Sequence, residues 1–79
     1  MVVLLIEDDA DYAGIIAETA RFEGHHVVVV GTIDGARRFL GCEAPDIAIV
    51  DVVLPDGSGL DLVPEMRRDF PQLPILMLS

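Results

Sequence analysis

Two short runs of apolar, mostly branched residues, each stopping abruptly on an acid, constrain this chain more than any other feature. Val2 to Ile6 gives way to Glu7, Asp8 and Asp9, and Ile47 to Val50 gives way to Asp51. Both runs are continuous rather than alternating, so they fit strands covered on both faces, the pattern of a parallel sheet. A charge inside such a strand would be buried without a partner, so each acid marks where its strand leaves the core. In an open α/β sheet that place is the carboxyl edge, where ligand crevices form. Pro55, Gly57 and Gly59 follow Asp51 and predict a turn-rich loop, which leaves Asp51 accessible.

The segments between these runs predict helices. From about Asp9 to Glu23, Tyr12, Ile15, Ile16, Thr19 and Phe22 recur at helical spacing, with acids in the first turn and Gly24 as the stop. Tyr12, Ile15 and Ile16 are expected to face the core. His26 to Val30 predicts a second strand, and Gly31 and Thr32 break it before a short helix carrying Ala36, Phe39 and Leu40. Leu60, Val63, Met66 and Phe70 mark a third helix, with Ser58 as its N-cap and Pro64 expected to loosen its first turn. Ile75 to Leu78, closed by Ser79, is a fourth strand. This alternation requires parallel strands joined by right-handed crossovers. A doubly wound order 2-1-3-4 sets the first and third strands side by side, so that their terminal acids meet.

Seventy-nine residues make one small domain with a thin stability margin. Fourteen acids against five arginines, a net charge of −9, argue against nucleic acid or an anionic membrane as a direct partner and favour a bound cation. Cys42 is the one cysteine and is expected to be a small, half-buried apolar residue. The first apolar run is too short for a signal or spanning segment, which predicts a cytoplasmic chain. The pairs His25 and His26, Arg37 and Arg38, and Arg67 and Arg68 are expected to be solvated, without a role in the site.

Glu7, Asp8 and Asp51 at one sheet edge would gather up to three negative charges, an arrangement that calls for a hard divalent cation such as Mg2+. A carboxylate beside such an ion can attack a phosphoryl group, and Asp51 is the candidate nucleophile. Asp9 is expected to cap the first helix rather than bind the ion. Ser79, ending the fourth strand, would share that edge and could donate its hydroxyl to a phosphoryl oxygen.

Over its whole length the sequence resembles the receiver domain of two-component response regulators. The residues that carry the likeness are Glu7 and Asp8 after the first strand, Asp51 after the third, Pro55 and Gly59 beyond it, and Ser79. The resemblance implies a flavodoxin-like fold, here expected to be truncated to four strands and three helices, without the final helix-strand-helix. It implies that Asp51 accepts a phosphoryl group from a sensor histidine kinase, that Asp8 and Asp51 bind Mg2+ directly, and that Glu7 acts through water. It also implies a carbonyl ligand from Val53 and a Ser79 that reorients on phosphorylation. Such a domain is a phosphoacceptor rather than an enzyme, with self-catalysed phosphotransfer at most. The lysine that receivers carry on a fifth strand has no counterpart, since the chain contains no lysine. The alternative reading is therefore a degenerate receiver that serves as an interaction or dimerisation module, self-associating through the edge of the fourth strand. A phosphatase of the haloacid dehalogenase type fits less well, because it needs a second acid where Val53 stands.

Overall fold

The structure, a computed structural model, describes residues 1–78. Its elements in chain order are β1 (Val2–Ile6), α1 (Ala10–Phe22), β2 (His26–Val30), α2 (Ile33–Leu40), β3 (Ile47–Asp51), β4 (Val53–Leu54), β5 (Gly57–Ser58), α3 (Gly59–Asp69) and β6 (Ile75–Leu78). Four strands form one parallel sheet in the order β2-β1-β3-β6, which is the expected 2-1-3-4 arrangement once the small β4–β5 hairpin is set apart. That hairpin is antiparallel, pairing Val53 with Ser58, and replaces the plain loop expected after Asp51.

The two faces of the sheet sort by sequence parity, as pleated strands require. Leu4, Ile6, Ala48 and Val50 pack with Ile33, Ala36, Leu62 and Met66 of α2 and α3. Val3, Leu5 and Val27 point the other way and pack with Ala13 and Ala17 of α1.

The helix termini are specified locally. Asp9 caps α1, its Oδ1 accepting the amides of Asp11 at 3.0 Å and Tyr12 at 3.1 Å, as expected for a cap. The helix ends at Gly24, whose φ of 90° is open to glycine but costly for other residues. Ser58 caps α3 through Leu60 N–H at 3.2 Å. That helix runs through Pro64 without a break, leaving the Leu60 carbonyl without its usual amide.

Two expectations fail. Tyr12 and Ile15 are exposed, and Phe22 is 90% exposed, because α1 docks through its alanines. The small Ala13 and Ala17 let the helix lie against the sheet, and only Ile16 of the expected trio reaches the cluster, from its margin. Helical spacing identifies one stripe, but here the bulkier stripe faces outward. Cys42 is exposed rather than half-buried, because it sits in the turn that closes α2, donating its amide to the Phe39 carbonyl at 3.0 Å. Among the described residues, no helix is long and apolar enough to cross a membrane.

Candidate metal centre

The parallel register brings the acids together. Ile6 pairs with Val50 across β1 and β3, so the next residue on each strand, Glu7 and Asp51, leaves the sheet at the same step. Asp8 follows Glu7 at the turn into α1. One carboxylate oxygen from each of Glu7, Asp8 and Asp51 lies within 4.8 Å of the others. Asp9 is not in this group, since its carboxylate is engaged as the α1 cap.

The three acids differ in environment. Glu7 is buried, at 6% exposure, whereas Asp51 is partly exposed and Asp8 is exposed. Glu7 N–H donates to the Val30 carbonyl at 2.9 Å, which fixes its backbone to the end of β2. Burial pushes the Glu7 carboxyl above the usual glutamate range, and a hydrogen bond to Asp51 and the Asp51 charge push it the same way. The backbone amides of Asp9 and Asp8 oppose this in part. The Glu7 carboxyl therefore holds its proton more tightly than an isolated glutamate would.

The segment leaving Asp51 is held from both sides. Val52 N–H donates to the Leu78 carbonyl at 3.2 Å, and Gly59 N–H donates to the Val52 carbonyl at 2.8 Å. A Cβ at Gly59 would collide with the Asp51 carbonyl and crowd Val50 Cγ1, so only glycine lets α3 begin this close to the site. Val53 lies two residues past Asp51, at the start of β4, with its side chain in solvent. Ser79 lies outside the described residues.

The sequence reading missed Asp56. Its carboxylate accepts the amides of Ile33 at 2.9 Å and Asp34 at 3.0 Å, capping α2 from the hairpin turn. Those two bonds hold its carboxyl below the usual aspartate range, with the Ile33 amide the larger influence. Asp-Gly in the sequence signals a turn, but nothing local reveals a partner 23 residues earlier. Also missed was Arg37, which bridges to Glu65 at 2.7 Å and ties α2 to α3 instead of standing free.

A doubly wound parallel sheet with a cluster of acids at its carboxyl edge defines the class as a flavodoxin-like α/β domain with three carboxylates gathered at the junction of β1 and β3. Comparison with known proteins fixes the family. The chain belongs to the response regulator receiver domains, whose family model matches residues 3–79. It is 37% identical over 79 residues to the virulence transcriptional regulatory protein PhoP of Salmonella typhimurium, covering 100% of this chain and 35% of PhoP. Among solved structures, the non-phosphorylated HemR receiver domain of Leptospira biflexa superposes with a TM-score of 0.90 at 30% identity, over 96% of this chain and 61% of that one. A response regulator of Burkholderia pseudomallei, solved with a phosphorylated aspartic acid, a calcium ion and citrate, gives a TM-score of 0.90 at 29% identity. That match covers 96% of this chain and 45% of the other. The chain thus spans about a third of the length of PhoP.

Proposed function

We propose that this receiver domain is the phosphoacceptor module of a two-component system, taking a phosphoryl group on Asp51 from a sensor histidine kinase in the cytoplasm. The observation that carries this reading is the convergence of Glu7, Asp8 and Asp51 within 4.8 Å, with Asp51 the partly exposed member at a strand end. The donor set fits magnesium, a hard ion that favours carboxylate and carbonyl oxygens and keeps some of its waters. Asp8 and Asp51 would bind it directly, the Val53 carbonyl would add a ligand, and the buried Glu7 would act through water. Bound there, the ion offsets the charge of the carboxylates and of an incoming phosphoryl group. In the transfer, an Asp51 oxygen bonds to phosphorus as the bond from phosphorus to the donor imidazole nitrogen breaks, and the freed nitrogen keeps the electron pair. The result is a phosphorylated protein, not turnover of a substrate. Ser79 would donate its hydroxyl to a phosphoryl oxygen and reorient on phosphorylation.

Beryllofluoride with Mg2+ tests the reading. Amide resonances of Val52, Val53 and Gly59 should shift in the wild-type chain, and Asp51→Asn should abolish the shift. Equal responses in both would refute Asp51 as acceptor.

One observation favours a second reading, a self-associating interaction module. Among the described residues, β6 pairs on one side alone, with β3, and Leu76 is 55% exposed. An open apolar strand edge is a template for another strand. Light scattering over micromolar to millimolar concentration separates the cases, since a monomer throughout would exclude the second.

A further inference from the structure

The amino terminus of α2 touches the acidic cluster's supports from two directions. On one side, Gly31 lies against the Glu7–Asp8 backbone, since a Cβ there would stand 3.7 Å from Asp8 Cα and 4.0 Å from the Glu7 oxygen. The Glu7 amide bonds the Val30 carbonyl one residue earlier, at 2.9 Å. On the other side stands the β4–β5 hairpin, which continues directly from Asp51. Its Asp56 carboxylate grips Ile33 and Asp34 N–H, while Thr32 Oγ1 takes the next amide, Gly35, at 2.9 Å. Gly57 beside it has a φ of 147°, and a Cβ there would press on Ile33 Cδ1 at 3.1 Å, so the turn is packed as well as bonded onto α2.

An ordinary helix needs an oxygen at its first amides, and Thr32 already supplies one from the usual cap position. Asp56 adds a link that a local cap cannot make. It joins the segment carrying Asp51 and Val53 to the helix that follows β2, and β2 is the strand to which Glu7 is bonded. The two halves of the candidate metal centre are therefore braced through α2 as well as through the sheet.

We infer that Asp56 is a positioning residue for the metal centre, holding the Val53 segment at a fixed distance from the Glu7–Asp8 turn by clamping the α2 amino terminus. This rests on the magnesium reading above. Groups that orient metal ligands without touching the metal typically contribute about tenfold or more to affinity.

The test compares Asp56→Ala with Thr32→Ala, which removes the other cap of the same helix and leaves the hairpin alone. Magnesium titrations followed by amide chemical shifts should give a dissociation constant about tenfold weaker for D56A, and within about twofold of wild type for T32A. Asp56→Asn keeps one acceptor oxygen and should fall between. It also serves if D56A is poorly folded. A metal-free readout accompanies these. Amide hydrogen exchange across the Val53–Ser58 pairing should quicken in D56A and stay unchanged in T32A. Equal loss of magnesium affinity in D56A and T32A would make Asp56 a plain helix cap and overturn the inference. So would unchanged hairpin exchange in D56A. No magnesium binding by the wild-type chain would sink the magnesium reading itself and this inference with it, an outcome distinct from either failure of Asp56 alone.

Discussion

Replacing Glu7 with Gln should stabilise the metal-free protein while weakening its response to magnesium. Glu7 is buried, and one of its carboxylate oxygens lies within 4.8 Å of oxygens of Asp8 and Asp51. Two unit charges at that limiting separation repel by about 3.5 kcal/mol at an effective dielectric of ~20 and by about 0.9 kcal/mol in water. Asp51 is partly open to solvent, so relief of about 1–2 kcal/mol is expected at neutral pH. Glutamine keeps the carbonyl oxygen that accepts Asp9 N–H, a bond of 3.4 Å, and offers Asp51 a donor in place of a charge. For a domain of this size the gain should raise the melting temperature by roughly 5–15 °C.

The pH dependence has a definite direction. The folded-state pKa of Glu7 is raised, so its protonated form costs nothing below the usual glutamate range. As pH climbs through the raised value, wild type must ionise Glu7 against Asp51 and loses stability, which the glutamine variant does not. The gap should therefore be wide at pH 7 in EDTA and close toward about pH 4. Magnesium should also narrow it by stabilising wild type, by about 2.7 kcal/mol at one hundred times its dissociation constant. The chain has no tryptophan, so denaturation is followed by far-ultraviolet circular dichroism. If E7Q is less stable than wild type in EDTA at pH 7, or the gap ignores pH, the clustered acids are not repelling one another and the cation argument loses its basis.

Three other outcomes are expected. Gly59→Ala should destabilise by at least about 1–3 kcal/mol in urea titrations, because its Cβ meets the Asp51 carbonyl, a backbone atom that cannot turn aside. Asp56 has a depressed pKa, so its contribution is present above the usual aspartate range and is lost as pH falls through the folded value. Acid titration should then quicken exchange of the Ile33 and Asp34 amides in wild type but not in Asp56→Asn. Leu76→Lys should suppress concentration-dependent association in light scattering if the β6 edge mediates it, with little change in melting temperature, since Leu76 is already half in solvent.

The strands and the meeting of their acids were legible because both depend on local rules. Continuous branched apolar runs admit few placements, and a charge directly after each run marks its exit from the core. The caps at Asp9 and Ser58 were readable for the same reason, as each satisfies amides within three residues. What escaped was everything set by tertiary packing. The choice between the large and the small stripe of α1 depends on how close the helix can approach the sheet, which Ala13 and Ala17 settle and spacing does not. Asp56 and Arg37 act on partners 23 and 28 residues away.

These two kinds of information meet at the acidic site. Local rules deliver the carboxylates, and they deliver them into a conflict, since stability alone would favour neutral side chains where β1 and β3 leave the core. Single-domain stabilities are a small margin, so keeping three acids within 4.8 Å of one another at that place costs a noticeable part of it. Distant contacts then brace the costly arrangement. Gly59 lets α3 start against Asp51, Val52 is tied to both Leu78 and Gly59, and Asp56 pins the following turn to α2. Packing that served stability alone would spread the charges apart. Here it holds them together, as the proposed magnesium site would require.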